Sequence, residues 1–579
     1  MNGTIWANAF PGTALRLTIA GAASGDEVWV ATGTYLTTTT SSRGISFSMK
    51  NGVSIYGSFA GTETLLLQRI FQCGPSSILS GEIGSPSDAD NSYHVISNTN
   101  LDSTAVIDGF VIRGGYDNRA PTQTAGLGGG IYNFGGNSSG NCSPVIRNCL
   151  ITLNHAVFGG GIFNSGHSGG NANPLIQNCI ITRNTAFDGG GGIDNFGLGG
   201  NASPSIINCA VYDNTANTAG GMYCWGGNAN GNSNPFILNC AFVNNQAIAG
   251  NAGGVIADNS NSGGVGNSGA SNIIVRNSIF TDNTASGTGP QFFIKGTGTF
   301  TATYSNVNLT NQNPPHIISG PGTGNMNSDP MFVSVLNGRG ADNCWFTADD
   351  GLTLQIGSPC INAGDNTGVT SLDLIGNTRI ANAIVDMGPY ESNHPPVKTL
   401  NLTSLIQGFY DSSMNTTVRD TLKIYIRNNT SPYAAVDSGK VYFNSNGGGV
   451  LNFYNVADNT GYFIQIRHRN SIETWSAAPE MFISGNLNYN FTDIQTRAFG
   501  SNQIQVDASP VKFAIYGGDI NQDGVVDVTD ASLVDNDSYN FVSGYVYTDL
   551  NGDNTVDLSD AAIADNNAFN FVSKITPLP

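Results

Sequence analysis

Between residues 144 and 283, short apolar runs alternate with polar turn residues in one order, and that order recurs. Pro144–Cys149 is answered by Pro174–Cys179, Pro204–Cys209, Pro235–Cys240 and Asn272–Ser278, and the shared Asn falls at 148, 178, 208, 239 and 277, spacings of 30, 30, 31 and 38. A second mark follows at Ile151/Asn154, Ile181/Asn184, Val211/Asn214, Phe242/Asn245 and Phe280/Asn283. A third is Gly-Gly before an apolar residue, at Ile131, Ile162, Ile193, Met222 and Val255. A repeat near thirty residues predicts a solenoid. The apolar runs are short, β-branched and bounded by Gly, Asn and Pro, which favours strands over helices. Stacked parallel strands then place Ile over Ile and Cys over Cys in the core. Asn over Asn at a bend satisfies turn backbone that strand pairing cannot reach.

These repeats resemble the right-handed parallel β-helix of bacterial surface proteins, in particular the repeat of polymorphic outer-membrane proteins. The opening, Trp6–Phe10 with Gly25–Tyr35, resembles the first coil of such proteins. The closing stretch, Asp329–Phe332, Gly357–Gly364 and Asp386–Glu391, is similar to their last. The resemblance covers about residues 1–392. Relatives of this opening carry a strand before the Trp, so the chain reads as a mature or trimmed product; Met1–Trp6 is not a signal peptide.

After a linker at 393–396 the pattern changes. Leu422–Ile426, Lys440–Phe443, Val450–Tyr454 and Tyr462–Arg467 predict an antiparallel β-sandwich over 397–516, similar to prealbumin-like modules of secreted proteins. It runs directly into 517–579, where a twelve-residue pattern occurs twice. Asp519, Asn521, Asp523, Asp527 and Asp530 stand at loop positions 1, 3, 5, 9 and 12, with the Val525 carbonyl at position 7. Asp549, Asn551, Asp553, Thr555, Asp557 and Asp560 repeat the set thirty residues later. This is calcium-loop spacing, for two ions, with Asp at position 12 in place of Glu. Gly524 makes the sharp turn, and Asn554 tolerates the same left-handed conformation. The duplication extends past the loops and resembles a type I dockerin. That resemblance implies a cohesin-like partner contacted through Val528-Thr529 and Leu558-Ser559. A structural module docked on its own chain or on a neighbour is the alternative. The predicted fold class is therefore mainly β: a right-handed parallel β-helix, an antiparallel β-sandwich and a small α dockerin-like domain with two calcium loops.

With 41 acidic against 22 basic residues the net charge is −19, which argues against nucleic acid and anionic membranes as partners. No apolar run is long enough to span a bilayer. Of nine cysteines, Cys149, Cys179, Cys209 and Cys240 share one repeat position and read as a buried ladder of free thiols. Cys344 and Cys360 are candidates to pair. Sequons such as that at Asn137 are frequent in so Asn-rich a chain. Parallel β-helices include polysaccharide lyases and hydrolases, which need clustered carboxylates. The candidates are Asp188, Asp194, Asp213, Asp258 and Asp282, with Asp188 and Asp194 near one Gly-rich corner and able to face solvent together. Asp213 and Asp282 align with Leu153, Arg183 and Asn244, and so variable a position reads as an exposed strand face. The six His are scattered, and His468 reads as part of a polar strand face. The leading expectation is a secreted, non-catalytic surface protein for display, adhesion or matrix assembly, extracellular, associating with itself as a filament, with an unpaired β-helix end completed by a neighbour. The alternatives are a polysaccharide-active enzyme, or a glycan-binding protein tethered through a cohesin.

Overall fold

Each turn of the repeat lays down the same short strands, and each strand pairs in parallel with its counterpart one turn away. The computed structural model describes residues 4–71, 73–84, 87–122, 125–136, 140–227, 230–260, 269–309 and 323–577. The Asn137 sequon and His316 lie outside these residues. The chain divides into two compact units, Met1–Asn393 and His394–Pro579.

In the first unit, Val145–Arg147 pairs with Leu175–Gln177, then Ser205–Ile207, then Phe236–Leu238, so that Ile146, Ile176, Ile206 and Ile237 share one register position. Four all-parallel sheets of nine, nine, six and seven strands result, a β-helix-like stack. Its two longest sheets begin at Glu27–Ala31 and Gly33–Leu36, well before the periodic sequence. Isoleucines and the Cys149, Cys179, Cys209 and Cys240 thiols fill one continuous core, and those thiols are free, as expected.

Two Asn columns follow the first two marks. Asn148, Asn178, Asn208, Asn239 and Asn277 all adopt φ between 50° and 53°. Asn178 donates to Asn148 at 3.3 Å and Asn208 to Asn178 at 3.2 Å. The inner column is tighter: Asn154 donates to Asn184, Asn184 to Asn214 and Asn214 to Asn245, each at 3.0 Å. A third column, Asn98, Asn133, Asn164 and Asn195, is bonded at 2.8–2.9 Å.

Helix α1 (Leu15–Gly21) buries Leu15 and Ile19 in the same core as Phe47, Met49 and Ile55. Two expectations are corrected. Residues 326–390 do not add a further coil. They run as a strap over the outer face of the second sheet, setting Phe332, Trp345, Leu352 and Tyr390 against Ile180, Tyr212, Val243 and Ile279. Strap carbonyls receive the outer Asn column: Asn208 donates to Leu372 at 2.9 Å, Asn239 to Asp386 at 3.1 Å and Asn277 to Asp365 at 2.8 Å. Cys344 is consequently bonded to Cys73 of an early coil (Cα–Cα 4.9 Å), and Cys360 is a buried free thiol.

In the second unit, Lys398–Thr403 lies between Gly448–Phe453 and Asn486–Asn490. A separate antiparallel sheet comprises Ala435–Tyr442, Thr421–Asn428, Gly461–His468, Ser471–Trp475 and Glu480–Met481. One apolar cluster holds the inner residues of both, including Leu400, Phe453, Ile424 and Ile464. Helices α2 (Val528–Tyr539) and α3 (Leu558–Phe569) follow, each opened by the same Asp capping box.

Candidate functional site

The twin loops before α2 and α3 have one hydrogen-bond scheme. In the first, Asn521 Oδ1 accepts from Asp523 N at 2.8 Å and Asp523 Oδ1 from Val525 N at 2.9 Å. Asp527 caps α2 through Thr529 N at 2.7 Å, and Asp530 Oδ1 accepts from Ile520 N at 2.8 Å. In the second, the matching distances are 2.9, 2.8, 2.7 and 2.6 Å, through Asn551, Asp553, Asp557 and Asp560. Position 6 is left-handed in both, at Gly524 (φ 95°) and Asn554 (φ 68°).

Asp519, Asp530, Asp549 and Asp560 are almost fully buried. Burial, reinforced by the charges of Asp530 and Asp523, pushes Asp519 up to about 6. Burial likewise raises Asp549 and Asp560. Carboxylates buried beside one another are what a divalent cation relieves, and the oxygen-only donor set suits a hard ion. The residues thus fit calcium in type, spacing and turn geometry. Among the described residues, however, no three His, Cys, Asp or Glu side chains stand together as a formed metal cluster. Each loop carboxylate is engaged by N–H groups of its own loop.

The loops rest on the strands before them. Arg469 reaches Asp549 at 3.8 Å and Asp420 at 3.1 Å, and Tyr545 donates to Asp420 at 2.6 Å. Asn470 donates to the Asp549 carbonyl at 2.8 Å. Burial disfavours the Asp420 anion, yet hydrogen bonds from His468 and Tyr545 hold its carboxyl well below the usual range. His468 is correspondingly no exposed strand residue: it is buried between Asp420 and Ser471, each 3.1 Å away, and burial lowers its pKa. Asp420, His468, Arg469 and Tyr545 carry no motif. Their one sequence signal is a cluster of charges, Arg467-His468-Arg469, where a largely apolar strand ends.

On the stack of parallel sheets the acidic candidates do not converge on solvent. Asp188 is exposed, whereas Asp194 is 1% exposed. Asp194 Oδ2 accepts from Gly190 N at 3.1 Å and its Oδ1 has no partner among the described residues. Burial, with a smaller push from Asp188, raises Asp194 to about 8. Asp258 is buried as well, taking Tyr223 Oη at 2.5 Å and Lys295 Nζ at 3.0 Å. Asp213 and Asp282 are not on a strand face: with Leu153, Arg183 and Asn244 they form a left-handed corner, φ 54–56°.

No family model matches the chain. No curated protein matches it. Among solved structures, it is similar to two type II cohesin–X-dockerin complexes of Acetivibrio cellulolyticus, one a C-terminal and one an N-terminal interface mutant. The identities are 15% and 14%, over 30% and 31% of this chain and 99% and 100% of those, with TM-scores of 0.20 and 0.19.

Proposed function

We propose that the protein is a secreted, non-catalytic structural protein of the bacterial surface. In this reading a right-handed β-helix carries a prealbumin-like sandwich and a type I dockerin-like module that takes two calcium ions through Asp519–Asp530 and Asp549–Asp560. Its work is display, adhesion or matrix assembly, through association with further copies of itself. The observation that carries the reading is the use to which the β-helix puts its polar side chains. Its Asn columns bond coil to coil, its strap covers one outer face, and Asp194 and Asp258 are internal. Side chains committed to holding coils together suit a spacer better than an acid–base pair, which must meet substrate.

The module's exposed Val528 and Leu558, 75% and 81% accessible, favour a second reading in which a cohesin-like protein takes up the same tail. Electron microscopy of the purified protein, with calcium and with chelator, tests the first reading. Calcium-dependent filaments or oligomers are expected. Monodisperse particles at high concentration in calcium overturn it, as does turnover of a polyuronide that is abolished by Asp188→Asn.

A further inference from the structure

The helix tips of the C-terminal module are built alike, and packing does not account for them. Tyr539 and Phe541 at the end of α2 are 84% and 88% exposed, and Phe569 and Phe571 at the end of α3 are 83% and 86% exposed. Phe541 and Phe571 also sit just past the helix with φ of 53°, where glycine or asparagine is the comfortable residue. An aromatic ring kept twice in a disfavoured conformation, and twice in water, marks a contact surface. Asp535 lies one helical turn before Tyr539, and Asp565 one turn before Phe569, so acid and ring share one stripe. A helix C-terminus adds partial negative charge at the same place. Acid, ring and dipole together recognise an ammonium or guanidinium group.

The second unit carries such groups on the outer face of its five-stranded sheet. Lys423 and Lys440 stand directly opposite each other on paired strands, and both are exposed. Like charges so placed destabilise a sheet. Lys423, Arg427 and Arg467 surround the Tyr425 ring at 4.7, 5.3 and 5.8 Å. On this face the ion pair of Arg467 with Glu473 is the one formed among the described residues. In a chain of net charge −19 that cationic patch is anomalous, and it is the chemical complement of the tips.

We propose that the acidic, aromatic helix tips dock on this cationic face of a second copy of the chain. The inference rests on the self-association reading and supplies its contact. The twin loops brace the tips: Val556 N donates to Val542 O beside Phe541 at 2.9 Å, and Val526 N to Val572 O beside Phe571 at 2.8 Å. Stiffening a loop stiffens the neighbouring tip, which couples assembly to the metal.

The test is sedimentation velocity of the full chain in calcium at low salt, on wild type, on Lys423→Glu with Lys440→Glu, on Asp535→Lys with Asp565→Lys, and on all four changes in one chain. All sites are on the surface, and a wild-type melting temperature verifies folding. Wild type is expected to associate, and to dissociate in about 1 M salt, where the screening length is about 3 Å. Each double variant should associate at least about ten-fold more weakly, and the fourfold charge swap should recover most of that loss. Phe541→Ser with Phe571→Ser should weaken association in high and low salt alike. If wild type associates and the variants do so equally well, this contact is overturned while self-association stands. If wild type stays monomeric throughout, both fall. If it stays monomeric yet is retained on immobilised polygalacturonate through Lys423 and Lys440, the face serves an acidic glycan and the proposal is overturned.

Discussion

Leu153, Arg183, Asp213, Asn244 and Asp282 occupy one left-handed corner of successive coils, and their chemistry differs far more than their backbone does. Asn and Asp enter that conformation easily, while Leu gains nothing from it. Leu153 is moreover 50% exposed, so its side chain adds little burial in return. Leu153→Asn is therefore expected to stabilise the first unit by about 1 kcal/mol, read from chemical denaturation. A loss of stability would show that the corner is held by the Leu153 side chain. The inner column behaves oppositely. Asn184 donates to Asn214 Oδ1 and the Ile151 carbonyl at 3.0 and 2.9 Å, and accepts from Asn154 N and Nδ2 at 3.2 and 3.0 Å. Replacing it with Leu orphans several buried groups at about 1–3 kcal/mol each, so Asn184→Leu should cost at least about 3 kcal/mol. Asn148→Ala, at the end of the partly buried outer column, should cost far less. Equal penalties would show that the two columns do not differ as described.

Among the elements, the strap is where titration matters. Burial is the main cause that raises Asp350 to about 7, Asp386 to about 6 and Glu391 to about 7. Arg379, fully buried and within the field of Glu391, Asp373 and Asp386, donates to the Gly388 carbonyl at 2.5 Å. A carboxyl whose folded pKa lies above its unfolded value of 3.8 or 4.5 stabilises the fold fully below that value and loses the contribution as pH rises through the folded pKa. The strap should thus be tightest near pH 4 and loosen towards pH 7. Hydrogen exchange over residues 373–391, corrected for the intrinsic pH dependence, measures this; protection that grows between pH 4 and 7 contradicts it. The strap is also where the sequence carries the least signal. The coils were legible because each must match the next, which writes Asn and Cys at spacings of 30 or 31 before the longer last repeat of 38. The third column is written there too: Asn133, Asn164 and Asn195 each follow a Gly-Gly-Ile by two residues. The strap packs sideways through scattered residues such as Phe332, Trp345 and Tyr390, with no period to betray it. In the same way the twin loops were legible from internal spacing, whereas Arg469, which touches Asp549 from the turn between Gly461–His468 and Ser471–Trp475, was not.

At the scale of the whole molecule, two compact units divide the chain, and the acidic loops belong to only one of them. Within that unit the loops and the strands are not separable. Asn470 holds the Asp549 carbonyl, Asn567 donates to Gln407 at 2.7 Å, Asn502 donates to Ser573 at 3.0 Å, and Val526 and Val572 pack on Ile472. A ligand that binds the folded loops therefore stabilises the strands as well, by linkage. At calcium about a hundred-fold above each Kd, two sites contribute about 5 kcal/mol. For a unit of this size that raises the melting temperature by roughly 10 °C or more. The first unit, Met1–Asn393, holds none of these loops, so its own transition should not move. Calorimetry with calcium and then with chelator should show one transition shifting and one fixed. Asp519→Ala with Asp549→Ala should abolish the difference between calcium and chelator, because those carboxylates stand at the first position of each loop; the variant's own baseline falls as well, since buried N–H groups and Arg469 lose their partners. If both transitions moved together, the two units would be thermodynamically one. If neither moved, the twin loops would be acidic turns capped by their own backbone, and the calcium reading would be lost.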